Sequence, residues 1–143
     1  MDLKRAIGAG LVATGTMTAL LLIEPSIGLP QIAIGQLLST SLGLTTAYLP
    51  AGPAVGWLLH FVVGSIFGVL YVAFFADRLP GRPVTRGVLY GLLVFVLAQL
   101  VFMPTVGGGV FSHGDPQMLI GSLFGHAVFG GVVGWINGLG AVS

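Results

Sequence analysis

Apolar residues fall along the chain in four long runs, and polar residues, prolines and charges collect between them. The runs are Ala6 to Ile23, Ala54 to Ala76, Gly87 to Met103, and Met118 to about Val142. None of them holds an Asp, Glu, Lys or Arg. A hydrocarbon layer of about 30 Å takes roughly 17–25 mostly apolar helical residues, and all four runs reach that length. The pattern predicts four transmembrane helices in an all-α bundle. Glu24-Pro25 is expected to stop the first and Met103-Pro104 the third, because proline lacks the N–H that would continue the ladder. Asp115-Pro116 opens the fourth, with Asp as N-cap and Pro at the first helical position. Between Glu24 and Pro53, the stretch from Gln31 to Leu42 sets Ile32, Leu37, Leu38 and Leu42 against Gln36, Ser39, Thr40 and Ser41. That predicts a short amphipathic helix lying at the membrane interface, a cap over one face of the bundle.

Composition agrees with this reading and excludes others. Only 9 of the 143 residues are charged, 5 basic and 4 acidic, or 6% against about 25% in a soluble domain. Hydrophobic residues make up 55% and mean hydropathy is +1.04. A disordered chain would be poor in apolar residues and rich in charge. The net charge of +1 gives no electrostatic footprint for nucleic acid. The absence of cysteine removes disulfides, thiolate metal sites and covalent c-type haem attachment. Lys4 and Arg5 resemble the n-region of a signal peptide, but the apolar stretch behind them is long and no A-x-A site follows, so the first run reads as a retained span.

The basic residues set an orientation. Lys4 and Arg5 precede the first span, Arg78, Arg82 and Arg86 lie between the second and third, and no others exist. The positive-inside rule then places both termini in the cytoplasm of a multi-pass inner (plasma) membrane protein. The whole chain, residues 1–143, reads as one integral membrane domain.

An internal repeat carries the candidate chemistry. His60-Phe-Val62-Val-Gly64-Ser-Ile-Phe-Gly68 and His126-Ala-Val128-Phe-Gly130-Gly-Val-Val-Gly134 share H-x-V-x-G-x-x-x-G. Arg5 and Arg86 each lie five residues ahead of a Gly-Leu pair, Gly10-Leu11 and Gly91-Leu92. The chain therefore reads as two tandem helical hairpins, with spans two and four running in the same direction. Both histidines are then expected roughly 9–12 Å below the outer edge of the apolar layer, at 1.5 Å per residue. Small residues flank them at four-residue spacing: Gly56, Gly64 and Gly68 around His60, and Ser122, Gly130 and Gly134 around His126.

Ionisable groups inside a membrane are costly and mark function, and two in matching positions suggest joint use. The leading expectation is bis-histidine ligation of one haem b, with His60 and His126 as iron ligands. Gly56, Gly64, Gly68, Ser122, Gly130 and Gly134 would flank the macrocycle, and each Nδ1–H would donate to the carbonyl four residues back, at Gly56 or Ser122. No Lys or Arg on the outer side is available to meet the propionates. The bland alternative makes the glycines helix-packing positions and the histidines hydrogen-bond partners of Thr14, Thr16, Thr18 or Gln99. A metal or proton pathway is the third. His113, Asp115 and Glu24 offer N and O ligands for an outer divalent cation, although their spacing fixes nothing. The spans hold no carboxylate for acid–base work, so no enzyme is expected.

The segments Gly56-Trp57-Leu-Leu-His60-Phe-Val-Val-Gly64, Arg86-Gly87-x-x-Tyr90-Gly91-Leu92, Met103-Pro104 and Ser122-Leu-Phe-Gly125-His126-x-x-Phe129-Gly130 resemble a family of small four-helix prokaryotic membrane proteins. That family is catalogued as a domain of unknown function. The resemblance implies a four-span fold and no activity. The layout of histidines on spans two and four is also similar to that of b-type cytochromes. The functional expectation is a membrane electron-transfer protein working with a redox partner, within a respiratory complex or as a homo-oligomer. The alternatives are a cofactor-free accessory subunit and a small metal or proton transporter.

Overall fold

The computed structural model describes residues 2–41 and 52–139, and among these every regular element is helical. Helix α1 is Leu3–Ile23, α2 is Ile34–Ser41, α3 is Gly52–Leu70, α4 is Pro83–Leu97, α5 is the short Met103–Thr105, and α6 is Pro116–Gly138. Four stretches are long and apolar enough to cross a bilayer: Leu3–Ile27, Gly52–Phe75, Pro83–Thr105 and Pro116–Gly138. They correspond to the four apolar runs. Leu42 and the expected end of the fourth span at Val142 lie outside the described residues.

Two boundaries differ from expectation. The third span begins at Pro83 instead of Gly87. Pro83 sits in the first turn with Arg82 extended before it (φ −73°, ψ 160°), the backbone that a residue preceding proline prefers. At its far end Met103-Pro104 does not stop the helix. A π-helical turn over Ala98–Phe102 leads into α5, where Pro104 occupies an opening position that asks nothing of its missing N–H. Helix α1 ends at Ile23, ahead of Glu24-Pro25 as expected, and a 3-10 turn over Glu24–Ile27 follows it, closed by Gly28 in the left-handed region (φ 86°). Asp115 caps α6 as expected, its carboxylate accepting from Gln117 N–H at 2.9 Å and Met118 N–H at 3.3 Å.

Packing follows the small residues. Helix α1 lies against α3 and α6, α4 lies against α6, and α2 lies against α3. A Cβ on Gly10 would come within 2.7 Å of Ser65 Cα, and one on Gly68 within 2.8 Å of Gly10 Cα. Across the other pair, a Cβ on Gly130 would stand 2.8 Å from Gly91 Cα, and one on Gly134 2.8 Å from Gly87 Cα. The backbones touch, which is how small-residue stripes bring membrane helices together.

The two ends of the bundle differ. Lys4, Arg5, Arg78, Arg82 and Arg86 share one end, and Arg86 donates there to the carbonyls of Ala76 and Gly81, both at 2.8 Å. That end is filled by Tyr71, Tyr90 and Phe75, with ring centroids 4.9–5.2 Å from Tyr90. Tyr90 O–H closes the α3–α4 gap by donating to the Phe67 carbonyl at 2.7 Å. At the other end, here called the α2 end, α3 and α4 stay apart and a cavity opens.

Candidate functional site

Both histidines line that cavity. It measures about 570 Å³, inside the roughly 300–1,000 Å³ range of sites that hold small molecules or cofactors. Thr14, Met17 and Leu21 of α1 form one wall, His60 and Phe67 of α3 another, and Ser122, His126 and Phe129 of α6 a third. Val94, Gln99 and Met103 belong to the α4 side, while Ile34, Leu37 and Leu38 roof the space from α2. The amphipathic helix is thus a cap whose apolar residues face inward. No Asp, Glu, Lys or Arg is among the lining residues.

The two imidazoles are held differently. His126 Nδ1–H donates to the Ser122 carbonyl at 2.7 Å, the back-bond expected from the sequence. This fixes the tautomer and leaves Nε2 as the nitrogen available to a ligand. Phe95 meets its ring edge-on at 5.9 Å. His60 makes no corresponding bond to Gly56 among the described residues. Its ring is held between Trp57 and Phe61, each edge-on at 6.0 Å. His60 Nε2 is buried with no hydrogen-bond partner. A buried nitrogen of this kind forfeits about 1–3 kcal/mol of solvation unless something meets it.

Among the described residues, none of the partners offered by the bland reading bonds a histidine. Thr14 and Thr16 hydroxyls donate to their own helix, at Gly10 O (2.7 Å) and Val12 O (2.9 Å). Thr18 Oγ1 is buried without a partner. Gln99, 1% exposed, bonds neither histidine. Its Nε2 donates to Ser122 Oγ at 3.1 Å, and its Oε1 accepts from Ser112 O–H at 3.0 Å.

The small residues divide. Gly64 and Ser122 line the cavity. Gly56, Gly68, Gly130 and Gly134 do not, which corrects the expectation that all six make room for a bound group. The space at Gly56 is taken by the Gly35 backbone of α2, that at Gly68 by α1, and that at Gly130 and Gly134 by α4. For these four, helix packing accounts for the missing side chain.

Three features were not read from the sequence. Phe111, Ser112 and His113 form a left-handed turn with φ of 47°, 51° and 55°, a conformation that costs a non-glycine residue about 1–2 kcal/mol. It buries Ser112 beside Gln99 and leaves His113 exposed. Gln99 itself sits in the π turn of Ala98–Phe102, a distortion found often at functional positions. Glu24, the polar residue at the end of span one, is 1% exposed, and neither carboxylate oxygen has a partner. It rests against Gly121, where a Cβ would lie 2.8 Å from Oε2. A sequence signal existed for Glu24 alone, since it continues the buried stripe of Met17 and Leu21 at helical spacing. Among the described residues no three His, Cys, Asp or Glu side chains group as a metal site, so His113, Asp115 and Glu24 do not converge.

Four apolar spans around a cavity lined by two histidines define a multi-pass helical membrane protein with an internal cavity. The chain belongs to the family of unknown function DUF6789, whose model matches residues 1–141. No curated protein and no solved structure matches it.

Proposed function

We propose that the cavity holds one haem b between His60 and His126, and that the protein carries electrons in the membrane. The observation that carries this reading is the pairing of two imidazoles on one apolar cavity. One has Nδ1 tied back so that Nε2 is available, and the other presents a buried Nε2 with no partner. Iron takes axial imidazole readily, and bundles build cofactor sites from facing core side chains. Haem would supply reversible one-electron chemistry, which no side chain of this cavity can. Met17, Phe67, Val94 and Phe129 would exclude water from it.

In the same reading the chain consists of two tandem hairpins, α1 with α3 and α4 with α6, and the end bearing the five basic residues is cytoplasmic. The cavity then lies toward the outer side of the inner (plasma) membrane. The partner is a redox protein or a larger respiratory complex. A second reading, a cofactor-free accessory subunit, draws on the four glycines that helix contacts alone explain.

Histidine variants separate the two. His60→Ala and His126→Ala should each abolish the low-spin spectrum or convert it to a high-spin one, because loss of one imidazole opens a position on iron. His113→Ala should leave it unchanged. A spectrum that survives both cavity substitutions would refute ligation by these residues.

A further inference from the structure

The polar wall of the cavity has a direction. Ser112 O–H donates to Gln99 Oε1, and Gln99 N–H donates to Ser122 Oγ. His126 Nδ1–H is committed to the Ser122 carbonyl, so it cannot accept the Ser122 hydroxyl proton, although Oγ lies 3.5 Å away. The Ser122 proton and the second Gln99 N–H are therefore left without a protein acceptor among the described residues. Turning the Gln99 amide over would only move the spare hydroxyl proton from Ser122 to Ser112, and all three residues line the cavity. Two uncommon backbone features bring the group together, the π turn that holds Gln99 and the left-handed turn that holds Ser112. Strain of this kind persists where the surrounding structure imposes it, often at ligand sites.

A pair of spare donors asks for an oxygen that only accepts. The position is specific as well: Ser122 lies four residues from His126 toward the α2 end, about 6 Å at 1.5 Å per residue. We propose that Gln99 and Ser122, set in place by Ser112, form a subsite for the carboxyl oxygens on the rim of the bound porphyrin. With no cation in the lining, these neutral donors take the role that an arginine or lysine would otherwise have. The proposal rests on the cavity holding a porphyrin, and it is independent of iron ligation by the histidines.

Iron-free porphyrins test it. The purified full chain in detergent is titrated with protoporphyrin, which carries two carboxyls, and with etioporphyrin, which carries only alkyl groups, and porphyrin fluorescence is followed. Micelle partitioning is common to all variants, so it cancels when each is compared with the wild type. Gln99→Leu and Ser122→Ala should each weaken protoporphyrin binding by roughly three- to tenfold, the worth of one lost hydrogen bond. Etioporphyrin binding should stay unchanged and serves as the control for an intact cavity. Ser112→Ala, which alters no helix residue, should weaken protoporphyrin in the same direction by a smaller factor. Equal losses for both porphyrins, no loss for either, or a wild-type chain that does not bind protoporphyrin would each overturn the subsite. If the carboxyl preference is absent while haem shows a histidine-dependent low-spin spectrum, the subsite fails and the haem reading stands. If the preference is present without that spectrum, the subsite stands and iron ligation by the histidines fails.

Discussion

At the scale of single residues, the interior keeps polar atoms that the protein itself leaves unmet, one of them in the cavity wall. His60 Nε2 and both Glu24 oxygens are buried without partners, and each such group costs free energy that a purely structural protein would recover by replacing it with a hydrocarbon. For Glu24 this gives a direct expectation. Glu24→Met removes the unsatisfied carboxyl at similar volume and should stabilise the protein by about 1–3 kcal/mol, seen as a higher midpoint in thermal unfolding in detergent. A lower midpoint would mean that the carboxyl meets a partner in the native protein. The histidines were legible from sequence because the shared H-x-V-x-G-x-x-x-G pattern places them equivalently in two spans. The Ser112–Gln99 contact was not, since it depends on three consecutive residues adopting φ near 50° without a glycine to signal it. Gln99 was visible only as a polar residue in an apolar run, and its partners had to come from the fold.

At the scale of elements, glycine decides which helices touch. The four-residue stripes were readable as grooves, but the sequence could not say whether a helix or a ligand fills them. Gly130 illustrates the outcome: a Cβ there would overlap the Gly87 carbonyl oxygen and stand 2.7 Å from Gly91 N. Gly130→Ala should force α4 and α6 apart and destabilise by about 1–3 kcal/mol, the usual cost of overpacking. Gly8→Ala, where nothing lies within 4 Å of the added carbon, should be neutral or stabilising by up to about 1 kcal/mol through helix propensity. Equal effects at the two positions in a detergent-unfolding series would contradict the packing described for α4 and α6. Span cores were legible from hydropathy alone, whereas the two ends of the third span were not. Pro104 sits at a change of helix type rather than at a stop, and composition carries no mark of a π turn.

At the scale of the whole molecule, the five basic residues gather at one end and the cavity opens at the other. If the basic end is cytoplasmic, a cysteine replacing exposed Gln117 should react with an impermeant maleimide added to intact cells. One replacing Val84, 46% exposed beside Arg82 and Arg86, should react only after lysis. The opposite pattern would turn the cavity toward the cytoplasm. The central claim, that this cavity holds haem between His60 and His126, is tested most directly by the visible spectrum of the purified chain from cells supplied with ample haem. A sharp reduced-minus-oxidised α-band of low-spin haem b, at about one haem per chain, is the expected result. A stable, folded and colourless protein would contradict it.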